Sequence, residues 1–455
     1  MSIYQELKAR DFIYQETDAE NIEKLLSTEK ITFYVGFDPT GNSLHVGHLL
    51  PIMAMRMLQM HGHTPIVLVG GATARIGDPS GRISARPILS IEEIDHNVEC
   101  LKAQLSRFIN TEAGKCHFVN NADWLCKLNY IEFLRDIGHR FSVNRMLAQE
   151  SVKQRLENGL SFLEFNYSIL QAYDFYHLNQ TLNCKMEFGG QDQWGNMVAG
   201  VELVRKMNQN EVFAMTFPLL LDSNGKKFGK TAGGNNVWLD STRTSVFDYY
   251  QFWRNCEDGQ LRKLLFTFTT LPTDECIRLS DTENAAELNR AKEILAYEAT
   301  VLAHGEDEAR KAYLAAGNKF GFADPENKIK TSSKIAAINT TAAAAELLPT
   351  VKLAQSLFDG DGIWIVKLLV EAGMAGSNGD ARRLIQGGGA YINEERISDA
   401  NRNITAGDFK DGALILKAGK KNIKRIVMEE TYNEISDLFS CDNAVFNHRD
   451  GRYCV

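Results

Sequence analysis

Hydrophobic and polar positions follow two rhythms in the first half of the chain. The run ITFYVGFDP at 31–39 is short and β-rich, and it ends in a polar turn. TPIVLVGGATARIGDPSG, from Thr64, is apolar and dissolves into a glycine-rich loop; KCHFVNNADW at 115–124 and LNCKMEFGGQDQWGN at 182–196 repeat the form. Between these runs the apolar residues recur at three and four, in LLPIMAMRMLQMHG and around 95–108, 130–141 and 163–178. Residues 2–30 also predict helix, from the spacing of Ile22, Leu25 and Leu26. Strand, turn, helix, strand and loop in succession predict an α/β fold, a doubly wound parallel Rossmann-like sheet over residues 1–220.

The rhythm then changes. From about 245 to 325 every periodic stretch is helical, as in VFDYYQFWRN and NAAELNRAKEILAYEATVLAHG, which predicts an all-helical domain. Residues 221–244 form a lysine-containing loop and connector before it, and 326–355 a linker with one alanine-rich helix after it. Residues 356–430 return to helices ending in glycine (IVKLLVEAG, NGDARRLIQGGG) and then strand-like runs (AYINEERI, GALILKAGKKNIKRIVM), a small α+β domain. The tail 431–455 has no period.

Composition narrows the class. The chain has 455 residues, 44% of them hydrophobic, and a formal net charge of -8. That apolar fraction excludes intrinsic disorder. No apolar run approaches the roughly 20 residues of a membrane span, and the polar start MSIYQELKARDFIYQ has no signal-peptide core. A cytoplasmic protein with no membrane partner is the expectation. Eight scattered cysteines without a C-x-x-C pair read as reduced thiols, with no metal site. The acidic balance argues against a nucleic-acid partner until it is read by region. Residues 382–425 hold ten Lys or Arg against five Asp or Glu, a local excess that suits a phosphate backbone.

Two clusters carry candidate chemistry. In GNSLHVGH, His45 and His48 are three residues apart; a helix starting near Ser43 would put both on the face of its first turn, where backbone N–H groups favour an anion. Phosphate binding and a metal pair are both open on these two residues alone. NGKKFGKT, at 224–231, looks like a phosphate loop, but only three residues separate Gly225 from Gly229, one short of G-x-x-x-x-G-K-[ST]. Lys227 and Lys230 on a glycine-flexible loop still suit a triphosphate.

Together the two clusters resemble the paired signatures of class I aminoacyl-tRNA synthetases. YVGFDPTGNSLHVGHL, GGATARIGDPSGR, FNYSILQAYDF, GGQDQWGN and KFGKT, in that order, resemble the bacterial tyrosyl-tRNA synthetases over about residues 1–430. The resemblance implies tyrosine and ATP as substrates, with Mg²⁺ bound to the ATP, and tRNA(Tyr) as acceptor. It implies that Tyr34 and Asp174 contact the substrate's phenol, that Asp78, Tyr167 and Gln171 contact its ammonium, and that Gln193 lies near its carboxyl. Gly36, Asp38, Thr40, His45, His48, Gly190, Asp192 and Lys230 fall on ATP-binding positions, with Asp192 at the ribose. Lys227, Lys230 and Thr231 belong to the loop that clamps pyrophosphate, with Arg82 and Arg86 at the same end. Arg205 and Lys206 match acceptor-arm contacts, the helical domain would meet the anticodon stem, and the last domain resembles the S-four-type RNA-binding module. A homodimer is implied too, with Phe162 at its interface.

The residues also weigh against other classes. A phosphate-loop NTPase is disfavoured by the missing residue of spacing. A non-enzymatic RNA-binding protein would have no use for the amino-acid and ATP motifs.

Overall fold

A computed structural model of the chain describes residues 1–80, 89–221, 225, 228–230, 234–340, 349–393, 395–410, 412–419 and 422–429, apart from the side chains of 150, 151 and 154. The contacts divide it into two compact units, Met1–Ile338 and Asn339–Val455.

The first unit is built on a six-stranded sheet: β1 (Gln15–Glu16), β2 (Thr32–Phe37), β3 (Thr64–Val69), β4 (His117–Asn120), β5 (Cys184–Gly190) and β6 (Phe213–Phe217). The order across the sheet is β1-β6-β5-β2-β3-β4, and all neighbours are parallel except the edge pair β1–β6. Successive strands step outward from β2 to β4; the chain then returns to the other side of β2 and steps outward again through β5 and β6. The crevice beyond the carboxyl ends of β2 and β5 is therefore the switch point where such sheets take ligands. The inner strands are buried almost throughout, which is why they read as continuous apolar runs rather than as alternation. Phe33, Phe188, Phe217 and Phe12 form a ring-to-ring chain across β2, β5 and β6 to the N-terminal segment.

The expectation of unbroken helix over 2–30 is corrected. Two helices, Ile3–Ala9 and Ala19–Thr28, flank β1, whose two polar residues pair with Thr216 and Met215. A two-residue strand leaves no period to detect.

The helical body consists of Val246–Arg254, Asp258–Phe268, Thr273–Ser280, Ala285–His304 and Glu306–Phe320. Arg10 fastens it to the N-terminal helix: its buried guanidinium donates to the carbonyls of Phe266 (3.0 Å), Thr269 (3.3 Å) and Leu271 (2.6 Å). Residues 326–338, expected as the start of the linker, pack on the same body. Asn327 accepts from the fully buried Arg290 at 2.7 Å, Glu275 accepts from Thr331 and Ser332, and Ile335 is buried. The alanine-rich stretch 341–348 and the tail 431–455 lie outside the described residues.

The second unit carries β7 (Thr350–Ala354), β8 (Ile363–Trp364), β9 (Ala390–Ile392), β10 (Glu395–Arg396), β11 (Asn403–Ile404), β12 (Ala413–Ala418) and β13 (Asn422–Glu429). Five of these form a sheet in the order β10-β9-β12-β13-β7, and the helices Ile365–Glu371 and Asn378–Gln386 contribute to one core with Leu414, Leu416 and Ile426.

Candidate active site

The helix Tyr167–Leu182 presents Tyr167, Gln171 and Asp174, four and three residues apart, on one face. Tyr34 is buried in the middle of β2 with its ring edge-on to Phe175, centroids 5.5 Å apart. Asp174 is buried too. One of its carboxylate oxygens accepts from Trp124 Nε1 at 2.7 Å and the other from Asn121 Nδ2 at 2.9 Å. Burial pushes this carboxyl up to about 8, against the two hydrogen bonds and helped by the charges of Asp38 and Glu187. Asn121 and Trp124 set the orientation of Asp174 and went unrecognised in the sequence, where NNADW showed only a strand running into a loop.

A second residue missed in the sequence is Glu187, buried on β5. Gln171 Nε2 donates to its Oε1 at 2.9 Å, while Glu187 Oε2 and the Tyr34 hydroxyl have no hydrogen-bond partner of good geometry. They are still near enough to interact: burial, then the Glu187 charge, raises the Tyr34 hydroxyl well above its usual range. Burial raises Glu187 itself to about 7. A lone carboxylate inside an apolar parallel strand was the available signal, since an unpaired charge there is costly.

Beside them, buried Tyr167 donates to Asp38 Oδ2 at 2.8 Å and Thr73 to Asp38 Oδ1 at 2.8 Å. Asp38, which the resemblance puts with ATP, is thus bonded to the residue put at the ammonium. Asp78 accepts from the Ser80 backbone (2.9 Å) and from Gln193 Nε2 (2.7 Å), and burial raises it to about 6 with Asp38 adding to the effect. Asn196 Nδ2 lies 3.0 Å from Gln171 Oε1 and 3.2 Å from Gln193 Oε1, so it ties the two ends of the pocket together. Four acidic groups, Asp38, Asp78, Asp174 and Glu187, thus gather in one crevice. A cation bound among them would relieve their mutual repulsion.

Asp192 is exposed just beyond β5. The preceding glycine permits this: a Cβ on Gly190 would stand 2.6 Å from the Asp192 carboxylate. Gly36 and Thr40 are exposed at and after β2, and the Thr40 backbone folds back on the Asp38 carbonyl at 2.8 Å.

The histidines sit differently from expectation. Helix begins at Val46, not near Ser43, and His45 is the residue that caps it. Its Nδ1 accepts from the Gly47 N–H (3.0 Å), and His48 Nδ1 accepts from the His45 N–H (3.1 Å), with the rings 4.0 Å apart. With Nδ1 occupied as acceptor, each neutral ring carries its proton on Nε2 as a donor. Burial, then the Lys230 charge, lowers the His45 pKa and keeps it neutral. Lys230 therefore lies near His45, and the two motifs come together. Lys227, Thr231, Arg82 and Arg86 lie outside the described residues. Among those described, no group of three or more His, Cys, Asp or Glu is arranged to hold a metal ion.

A groove of about 1100 Å³ adjoins Gln191 and Asp192 and is lined by Arg140, Arg145, Arg205 and Lys206. Lys206 donates to the Arg140 carbonyl at 2.9 Å. No helix among the described residues is long and apolar enough to cross a membrane.

The chain matches the tRNA synthetases class I (W and Y) over residues 26–321 and the tyrosine--tRNA ligase SYY-like C-terminal domain over residues 342–426. The tyrosine--tRNA ligase of Clostridium beijerinckii is 49% identical over 426 residues, covering 93% of this chain and 99% of that protein. That of Clostridium botulinum (strain Alaska E43 / Type E3) is 48% identical over 429 residues, 94% of this chain and 100% of that one. Among solved structures, a C-terminally truncated Aspergillus nidulans mitochondrial tyrosyl-tRNA synthetase is similar with a TM-score of 0.63 and 30% identity, over 70% of this chain and 94% of that one. With family models over both parts of the chain and relatives matched end to end, the chain belongs to the class I tRNA synthetases and, within them, to the tyrosine--tRNA ligase family.

Proposed function

We propose that this protein activates L-tyrosine with ATP and transfers the tyrosyl group to the 3' end of tRNA(Tyr). The observation that carries the reading is the polarity of the crevice. Tyr34 and Asp174 lie buried together at a closed end, Glu187, Asp38 and Asp78 form a collar of acidic groups around them, and His45 and His48, with Lys230 beside His45, follow β2 in the chain. A phenol donates to a carboxylate and accepts from a hydroxyl, so the closed end reads tyrosine and leaves buried groups unpaired with phenylalanine. The collar suits an ammonium, held by Asp78, Tyr167 and Gln171, with Gln193 beside the carboxylate.

The first step needs no protein nucleophile. A tyrosine carboxylate oxygen attacks the α-phosphorus, an acyl C–O–P linkage forms, and the bond from that phosphorus to pyrophosphate breaks. His45 and His48, as Nε2–H donors, and the Lys230 ammonium stabilise charge that grows on the leaving pyrophosphate. Thr40, Lys227, Thr231, Arg82 and Arg86 complete that end, while Gly36, Gly190 and Asp192 take the nucleoside. ATP arrives as its Mg²⁺ complex, the ion held by phosphate oxygens and water. A hydroxyl of the terminal tRNA ribose then attacks the tyrosyl carbonyl and expels AMP. The groove beside Asp192, with Arg205 and Lys206, is the route for the acceptor arm. The helical body takes the anticodon stem and the basic second unit a further RNA segment.

The exposed side chains of Tyr130, Ile131, Val143, Leu156 and Phe162 fall within one stretch of the chain and support a homodimer. Sedimentation of Phe162→Asp against the parent should show dissociation; an unchanged mass would refute that interface. Its site of action on this reading is the cytoplasm, where tRNA is charged, which cell fractionation would test.

Amino-acid-dependent ATP–pyrophosphate exchange, with the twenty amino acids supplied singly, tests the activity. Exchange should appear with tyrosine; none with tyrosine, or as much with phenylalanine, would overturn the reading. Deleting residues 356–455 should spare exchange and abolish charging of tRNA; charging that survives would remove the second unit from RNA binding.

A further inference from the structure

The HVGH and KFGKT motifs are joined by a third segment to which the sequence reading gave no role, Asn236–Leu239. Val237 bonds to both: its carbonyl accepts the Val46 N–H at 2.9 Å, and its N–H donates to the Gly229 carbonyl at 2.9 Å. On either side, the Leu239 N–H donates to the Leu44 carbonyl (2.9 Å), and Lys230 and Asn236 form an antiparallel bridge, as do His45 and Trp238. Val237 and Leu239 are buried, which fixes the segment from below. The packing has little slack. Gly229 holds φ +98°, and a Cβ there would meet the Gly47 nitrogen at 3.1 Å. Phe228 anchors the same loop among the rings of Phe252, Trp253 and Phe268.

Trp238 occupies the middle of this arrangement. The Arg243 guanidinium lies 3.4 Å from the centre of its ring, and Arg243 is itself held by Asn42 Oδ1 at 3.1 Å. The Trp238 backbone N–H donates to Thr244 Oγ1 at 3.0 Å. His45 meets the indole edge-on, centroids 5.9 Å apart, and His48 lies against His45. Arg243, Trp238, His45 and His48 thus form one run of planar groups that ends on the two imidazoles. Cation–π and edge-to-face contacts of this kind are directional.

We propose that Asn236–Leu239 is a splint that sets the separation of the two phosphate-binding motifs, and that Trp238, held between Arg243 and His45, is a positioning residue for adenylate formation. The proposal rests on the reading of His45, His48 and Lys230 as phosphate contacts. Trp238 acts through those residues and does not itself touch the reacting atoms. A displacement of about 1 Å in such groups costs on the order of 100-fold in rate.

The test compares Trp238→Ala, Trp238→Phe, Arg243→Met, Lys230→Ala and the Trp238→Ala/Lys230→Ala double variant in the full chain. The readouts are tyrosine-dependent pyrophosphate exchange and tyrosine binding by equilibrium dialysis. Trp238→Ala should lower the exchange kcat by about 100-fold with tyrosine affinity retained. Trp238→Phe should recover most of the rate, and Arg243→Met should fall between. The double variant should lose far less than the product of the single losses, because Trp238 works by placing Lys230 and its neighbours. Exchange within threefold of the parent for Trp238→Ala, or full additivity in the double variant, would overturn the splint. If Trp238→Ala misfolds and loses tyrosine binding, Arg243→Met decides: a parental kcat there overturns the proposal. Parental exchange in Lys230→Ala would instead sink the phosphate reading beneath it.

Discussion

The two ends of the crevice are built by different means. At the end proposed for tyrosine, side chains hold side chains: Asn121 and Trp124 fix Asp174, Gln171 fixes Glu187, Gln193 fixes Asp78 and Tyr167 fixes Asp38. At the end proposed for phosphate the backbone does the holding, with N–H groups fixing both histidine rings and Val237 tying the two motifs. A buried pocket of paired polar groups discriminates, because any ligand that fails to complete the pairing leaves a cost behind. A backbone-held row of donors is less selective about shape. It is suited to a charge that moves during the reaction.

The comparison predicts losses of different kinds. Asp174→Ala removes the acceptor proposed for the phenol and strands the donors of Asn121 and Trp124. It should cost about 4 kcal/mol in kcat/KM for tyrosine, close to a thousandfold, with ATP binding little changed. Measured kcat/KM within tenfold of the parent would show that the tyrosine end is not the discriminating one. Lys230→Ala should slow adenylate formation by about 100-fold and leave tyrosine affinity intact. Single-turnover pyrophosphate release, set beside dialysis, separates the two, and a large loss of tyrosine affinity would move Lys230 to the other end.

The smallest effect is on stability. Glu187 is raised to about 7 when folded, from an ordinary value near 4.5. The folded state therefore holds this proton more tightly, so the stability the group contributes is fully present below about pH 4.5 and is lost as pH rises toward 7. Glu187→Gln keeps an acceptor for Gln171 and carries no charge. Relative to the parent it should gain on the order of 2 kcal/mol between pH 5 and pH 8. Thermal melting across that range checks it; parallel Tm curves for the two proteins would mean that Glu187 is not a strained buried acid.

Much of this was legible before any coordinates. The strand-like runs at 31–39, 64–69, 115–124 and 182–196 became parallel strands, the inner ones apolar throughout because both their faces are buried. The helix bearing Tyr167, Gln171 and Asp174 declared itself by spacing. The contacts that cross the chain did not. Asn121 meets Asp174 across 53 residues, and Tyr167 meets Asp38 across 129. Nothing local in NNADW or FDPT reports a partner so distant. Nor does the chain advertise Val237: its function lies in its N–H and carbonyl, which every residue but proline possesses. The two-residue edge strand and the late helix start at Val46 were lost for a related reason, since both are set by neighbours rather than by periodicity.

One contact in the tyrosine pocket has a practical side. The indole of Trp124 ends its N–H on Asp174 and lies flat against His177, centroids 4.4 Å apart. A fluorophore is thereby wired to the carboxylate proposed to meet the ligand's hydroxyl. Occupancy of the pocket is open to a spectrometer in the native chain, with no label attached.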